Sequence, residues 1–316
     1  MRILLLFSVL LSLSTSSKAV ALNFKNYHSQ ASIHTYLASL PTLYPELAHF
    51  YVLGSSLKKK EIAYVTLSEG SASSLPAIYF NGTHHGDEWS STEGILGLIE
   101  YLVTHQSDPA VHTLLTSYVF YLQPLVNPDG HEAKTRADSE GVDLNRDYAY
   151  PGSKSGDSFK RKETQLTKNL IDQIKPRAAA AYHSGIEEVL WPWCYTAESV
   201  SNEKLFYAIT EKTAKSMKMD RYLQSYDDYA TEGEFIDYAY MAYSTLALTF
   251  EVSEIKTPPT KDLEAVVARS VLGALTFAQA VWDADHGLLA LSPLPLDLHS
   301  ESFSNKSARW PFGRLE

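Results

Sequence analysis

Two apolar runs, Leu75 to Asn81 and Tyr118 to Val126, flank a segment from Ser91 to His105 in which Ile95, Leu98, Ile99 and Leu102 share one helical face. No other stretch constrains the fold as strongly. Strands joined through a helix run parallel, the crossover is right-handed, and ligands bind where the strands' C-terminal ends lie. Each apolar run ends in polar residues. The first delivers Asn81-Gly82-Thr83-His84-His85-Gly86-Asp87-Glu88-Trp89, and the second delivers Asn127-Pro128-Asp129-Gly130, which reads as a turn. The pattern then returns: Arg161 to Ile174 is helical, Arg177 to Tyr182 is a small-residue strand ending at His183, and Ser244 to Val252 is a strand carrying Glu251. The expected fold class is α/β, a single domain with a mixed, mostly parallel twisted sheet flanked by helices.

The other segments fit around that unit. Tyr27 to Pro45 carries Ile33, Tyr36, Leu37 and Leu40 at helical spacing, with Ser29 or Ser32 as its cap. Ala48 to Leu53 and Glu61 to Leu67 are β-like runs around a polar turn, which predicts a hairpin. Ile186 to Tyr195, rich in Trp and Tyr, is expected to line a cavity or pack over one. Ser201 to Met217 reads as a helix, Asp220 to Tyr240 as a loop with several tyrosines and acids, and Thr260 to Ala284 as a long amphipathic helix. Neither a repeat nor a linker calls for a second domain. The expected organisation is a signal peptide over 1–21, one domain over 22–284 and a loosely packed tail over 285–316.

The leader reading rests on Arg2, the apolar run Ile3 to Leu13 and the small residues ending in Ala19-Val20-Ala21, an A-x-A cleavage site on a segment too short to span a membrane. A buried N-terminal helix is the competing reading. A processed chain begins near Leu22 and is exported, periplasmic or extracellular. No further stretch approaches membrane-spanning length. Cys194 is the only cysteine, so no disulfide forms within the chain and stability comes from packing. The net charge of −10, without basic runs, argues against nucleic acid or an anionic membrane as partner. Oligomeric state is not set by any of these features.

Several residues can carry chemistry. His85 and Glu88 stand three apart, so a tight turn aims an imidazole and a carboxylate at one point, which is half of a three-ligand zinc site. His183, at another strand end, completes a His, Glu, His set if the sheet places the two strands side by side. A lone strand-end His is otherwise a hydrogen-bonded rim residue. Asp143 either accepts the second ring N–H of a ligating histidine or braces its own turn. Glu251 ends the buried run Leu246 to Phe250, where an ionised group needs a purpose or a partner; beside a zinc-activated water it is a general base, elsewhere a surface-paired acid. Arg136, Asn145 and Arg146 offer donors for an oxyanion or a terminal carboxylate, or form surface ion pairs with Asp138, Glu140 and Asp147.

Together these stretches resemble the M14 zinc carboxypeptidases, the carboxypeptidase A-like group. The resemblance runs from Tyr27 through the last long helix. It rests on His85-Gly86-Asp87-Glu88-Trp89, Asn127-Pro128-Asp129-Gly130, Gly141-Val142-Asp143-Leu144-Asn145-Arg146, His183-Ser184, Tyr229 through Asp237, and Thr249-Phe250-Glu251. It implies that one zinc is bound by His85, Glu88 and His183, that Asp143 orients His85, and that Glu251 is the catalytic glutamate. It further implies that Asn145 and Arg146 hold the terminal carboxylate of a peptide substrate, that Tyr229 closes over it, and that Arg136 serves the oxyanion. Arg136 lies ten residues before Arg146, as in bacterial and cytosolic members; the digestive members carry that arginine farther upstream, where Ala133 stands here.

The chain also departs from the digestive enzymes. Asp87 stands where they carry an arginine, and little chain lies between Ala21 and the first enzyme-like helix, so no folded inhibitory propeptide is expected. Ile236 matches the pocket position that sets preference for the released residue and implies an apolar or aromatic side chain. Cys194 either narrows that pocket or is a small buried hydrophobe. The acids Asp227, Asp228, Glu232 and Glu234 around Tyr229 pull toward a cationic or amino-bearing substrate, such as the diaminopimelate of cell-wall peptides, or are simply solvated. The expected function is a secreted zinc metallocarboxypeptidase. Its alternatives are a peptidoglycan stem-peptide carboxypeptidase or amidase, and a catalytically silent binding module on the same fold.

Overall fold

A computed structural model describes residues 22–70, 74–291 and 294; the expected signal peptide and the tail beyond 294 lie outside these residues. The first half contains α1 (Gln30–Leu43), β1 (Ala48–Ser55), β2 (Glu61–Leu67), β3 (Ala77–Gly82), α2 (Trp89–Thr104), α3 (Pro109–Ser117), β4 (Val119–Gln123) and α4 (Pro128–Ala133). A short 3-10 turn at Leu144–Arg146 precedes α5 (Lys162–Ile174), β5 (Ala178–His183) and β6 (Ile186–Trp191). The chain continues through α6 (Glu203–Ser216), β7 (Tyr222–Gln224), α7 (Ser225–Asp228), α8 (Phe235–Tyr243), β8 (Leu246–Ser253) and α9 (Thr260–Asp285).

The strands form one sheet in the order β1-β2-β4-β3-β5-β8-β6-β7. Its centre, β4-β3-β5-β8, is parallel, while the hairpin β1-β2 adds antiparallel at one side and β6 adds antiparallel to β8 at the other. β3 and β5 are buried along their whole length, as an interior strand covered on both faces requires. The alanines of β5 leave room for the layers above and below. On one face α2 and α9 pack so closely that a Cβ on Gly97 would lie 2.4 Å from the Val267 side chain. The other face carries a smaller core of Tyr79, Tyr148, Ile171, Cys194, Phe235, Ile236 and Ala239 under α5 and α8.

Local capping explains several boundaries. Ser29 caps α1 by accepting from the Ser32 amide. Asp108 caps α3, which has proline in its first turn; this helix has no counterpart in the sequence reading although its start signal is present. Four expectations need correction. Asn127 to Gly130 is not a free turn but the start of α4, because the Asn127 side chain accepts from the Gly130 amide and Pro128 suits a first helical turn. The loop over Asp220 to Tyr240 contains β7, α7 and the start of α8, whose Phe235, Ile236, Ala239 and Tyr240 bury one helical face. Trp191 is a fully buried core residue on β6 rather than a cavity wall. Finally, α9 is long and apolar enough to cross a membrane by length and composition, with a mean hydropathy of 1.4; more than half of that stretch is buried, and it serves as a core helix against α2 and α6.

Candidate metal centre and active site

The sheet order brings the proposed ligands together. β3 and β5 are neighbours in parallel register, with Gly82 opposite Tyr182, so the loop after β3 and His183 at the end of β5 meet at one rim. Thr83 starts that loop at φ 60°, an unusual setting for a β-branched residue, and its hydroxyl is fixed by those of Ser91 and Thr92. His85 Nδ1 lies 2.8 Å from Glu88 Oε1, His183 Nδ1 lies 3.0 Å from Glu88 Oε2, and the two Nδ1 atoms are 3.1 Å apart. One donor atom from each residue falls within 4.8 Å of the others, and all three side chains are buried. The Ser184 amide also donates to Glu88 Oε2. Burial disfavours the charge on Glu88, but His85 and His183 outweigh it and hold the carboxyl well below its ordinary range.

Asp143 lies where the sequence places it in this constellation. Its Oδ1 is 3.0 Å from His85 Nε2, and its Oδ2 accepts from Arg136 Nε at 3.0 Å. Arg136 Nη1 stands 3.6 Å from Glu88 Oε1, so the guanidinium spans both acids. Glu251 is the register partner of His183 on β8, which directs both side chains to the same side of the sheet. Its Oε2 is buried without a hydrogen-bond partner. Burial, then the charges of Glu88, Glu188 and Glu234, push its carboxyl well up.

A second wall comes from the segment between Tyr229 and Asp237. Arg146 Nη2 lies 3.4 Å from the Tyr229 hydroxyl, and Nη1 lies 3.2 Å from Glu234 Oε1. Asn145 Oδ1 accepts from the Phe235 amide at 3.0 Å, which leaves its Nδ2 as the free donor end. Tyr229 is exposed, at 43 %, and stands over this arginine. Cys194 and Ile236 are buried together in the smaller core, and Cys194 N donates to Asp237 Oδ1 at 2.9 Å. Burial pushes the Cys194 thiol well up, with Glu234 and Asp237 adding to it.

The model of the peptidase M14 family, described as zinc carboxypeptidase, matches residues 33–272. The chain belongs to the zinc carboxypeptidase family. It is 25 % identical over 265 residues to zinc carboxypeptidase A 1 of Anopheles gambiae, covering 73 % of this chain and 60 % of that protein. Over 269 residues it is 24 % identical to carboxypeptidase A1 of Bos taurus, covering 73 % of this chain and 64 % of the relative. Both figures mean that the match spans less than two thirds of the relatives' length. Among solved structures, the carboxypeptidase A of Helicoverpa armigera superposes with a TM-score of 0.76 at 20 % identity, over 87 % of this chain and 78 % of that one, which shows the shared fold.

The donor set fits the ion for which the zinc carboxypeptidase family is named. With its Nε2–H given to Asp143, His85 presents an Nδ1 lone pair toward a carboxylate and a second ring nitrogen. A cation among the three would satisfy the ring lone pairs and the Glu88 carboxylate together, and two imidazoles with one carboxylate form a known catalytic zinc set. His183 Nε2 has no hydrogen-bond partner, while its ring stacks on His84. His84 itself bonds Tyr148 at 2.9 Å and packs against Phe235, so it backs the ligand wall rather than entering it.

Some contributors are invisible in the sequence. Asn127 Nδ2 donates to the His84 carbonyl at 3.0 Å, and Gly86 N donates to the Arg136 carbonyl at 3.1 Å. A Cβ on Gly86 would lie 2.1 Å from the Gly130 backbone, so only glycine lets the ligand loop seat on α4. Asp87 is bound to Lys256 at 2.8 Å, across 169 residues of sequence, which explains how an acid is accommodated at that position. Such long-range pairs leave no local signal.

Proposed function

We propose that this chain is an exported zinc metallocarboxypeptidase that removes the last residue of peptides with a free C-terminal carboxylate. The observation that carries the reading is the convergence of His85, Glu88 and His183 on one point, with the unbonded Glu251 Oε2 on the strand beside His183. His85, Glu88 and His183 would hold a zinc ion, which when bound would supply Lewis acidity to the scissile carbonyl and the attacking water.

The side chains supply the rest. Glu251, in register with His183 and with its Oε2 free of hydrogen bonds, takes the proton of the attacking water and hands it to the departing amine nitrogen. Arg136, already turned toward Glu88, donates to the oxygen that gains charge. Arg146 and the Asn145 amide hold the terminal carboxylate, and the exposed Tyr229 phenol closes over it. Burial lowers the Arg146 affinity for its proton, yet Glu234, Tyr229 and Asp143 hold it charged. Asp143 keeps the His85 ring in its tautomer. The Arg2 to Ala21 leader supports export of the processed chain. The complete donor set with Glu251 argues against a silent binding module.

The reading is tested with one peptide offered as the free acid and as the C-terminal amide. Loss of a single residue from the acid only is expected. Equal cleavage of the amide points to an endopeptidase or amidase instead.

A further inference from the structure

We propose that Arg221 and Asp228 are positioning residues for Tyr229, clamping its turn to β6 so that the phenol stands ready over Arg146. The inference rests on the carboxypeptidase reading, which assigns Tyr229 to the substrate's terminal carboxylate, and adds what holds that tyrosine in place. The Arg221 guanidinium bridges two acids from different elements. Its Nε donates to Oε2 of Glu188 on β6, and its Nη2 donates to Oδ1 of Asp228, the last residue of α7 and the neighbour of Tyr229.

The β6 end of this bridge is firmly built into the sheet. Glu188 is 1 % exposed and is the register partner of Glu251 on β8, and the Val189 amide donates to the Arg221 carbonyl at 3.1 Å. The α7 end is an arc. Tyr226 N donates to the Trp193 carbonyl and Thr231 N to the Cys194 carbonyl, both at 3.0 Å, so residues 227–230 span two fixed points. Just before the first of them, the buried Gln224 side chain donates to the carbonyls of Trp193, Thr196 and Glu198. Tyr229 rides on this arc, and its own contacts are long: 3.3 Å from its amide to the Ser225 carbonyl and 3.4 Å from its hydroxyl to Arg146 Nη2. The adjoining Asp228 is held instead by a charge-assisted bond, and its side chain is only 15 % exposed, so solvent screens that bond little.

One guanidinium serving two carboxylates makes a directional clamp, because its flat fork fixes both acids at once, which an ammonium cannot do. Burial disfavours the Arg221 charge, but Glu188 and Asp228 outweigh it. Arg221 in turn opposes the burial and the Asp228 charge that push the Glu188 carboxyl up. Asp228 is thus engaged with Arg221 rather than simply solvated. A tyrosine held near its closed position loses less conformational freedom on closing. Because it meets the terminal carboxylate and not the scissile carbonyl, the gain falls on binding rather than on turnover.

The test measures kcat and KM of the zinc-loaded full chain on one free-acid peptide. Asp228→Ala keeps the buried pair of Arg221 and Glu188 and removes only the tie to α7. It is expected to raise KM about three- to tenfold with kcat within about twofold. Asp228→Asn, which keeps an acceptor for Arg221 Nη2, recovers part of that loss. In a Tyr229→Ala background, Asp228→Ala adds nothing further, because the two act through one group. Arg221→Lys, which keeps the charge but loses the fork, raises KM likewise and takes the place of Asp228→Ala if that variant folds poorly. An unchanged KM in an Asp228→Ala protein that melts normally overturns the inference, as does a KM rise that persists in full in the Tyr229→Ala background. So does a Tyr229→Ala protein with wild-type KM. In all three cases single residues are still released and the carboxypeptidase reading stands. Failure to release a residue from any peptide overturns that reading together with this inference.

Discussion

Glu251 faces His183 in register across β5 and β8, two residues before β8 ends. If it is the general base, Glu251→Gln keeps the metal and loses about 10²- to 10⁴-fold in turnover, measured by residue release beside zinc analysis. Near-normal turnover contradicts that role. Asp237 gives a prediction independent of activity. Folding raises its carboxyl from 3.8 to about 7, so between these values the folded chain binds more protons than the unfolded one. Stability therefore falls as pH rises through that window and levels off above it. Asp237→Asn, which keeps an acceptor for the Cys194 amide, is free of that loss, so its Tm gains on the wild type from about pH 4 to 7. Thermal melts across pH check this, and a constant offset contradicts it. The sequence shows why these residue types suit the site, but not that Glu234 lies against Arg146 across 88 positions.

At the scale of elements, the ligand loop after β3 depends on α4. The Asn127 side chain caps that helix and also holds the His84 carbonyl, while Gly86 seats directly on Gly130. Gly86→Ala has no room to relax except by moving backbone, so it is expected to cost about 1–3 kcal/mol of stability and to weaken zinc binding. Denaturant melts and zinc titration of the variant measure both; unchanged values contradict the close seat. The motifs Asn127 to Gly130 and His85 to Glu88 are plain in the sequence as separate stretches. Their contact is not, because it joins two loops through backbone atoms that leave no side-chain pattern. The helix α8 was hidden for another reason: its apolar face is interleaved with Asp237 and several tyrosines, which read as loop. By contrast, the uninterrupted period of α2 and the small-residue run of β5 were legible because both faces answer to a core.

For the whole molecule, the order β4-β3-β5-β8 is what turns three distant motifs into one site. The strand, helix, strand pattern predicts a parallel sheet and its ligand-binding rim; the neighbour order emerges only in the folded sheet. The segment before α1 is tied to the same core, with Tyr27 bonded to the Pro258 carbonyl and His28 to Glu93. The account's central claim, a zinc held by residues from β3's loop and β5, is tested most directly by the metal content of purified, dialysed protein alongside His183→Ala. One zinc per chain in the wild type, lost in the variant, is the expected result. A wild type without zinc, or a variant that retains it in full, contradicts the claim.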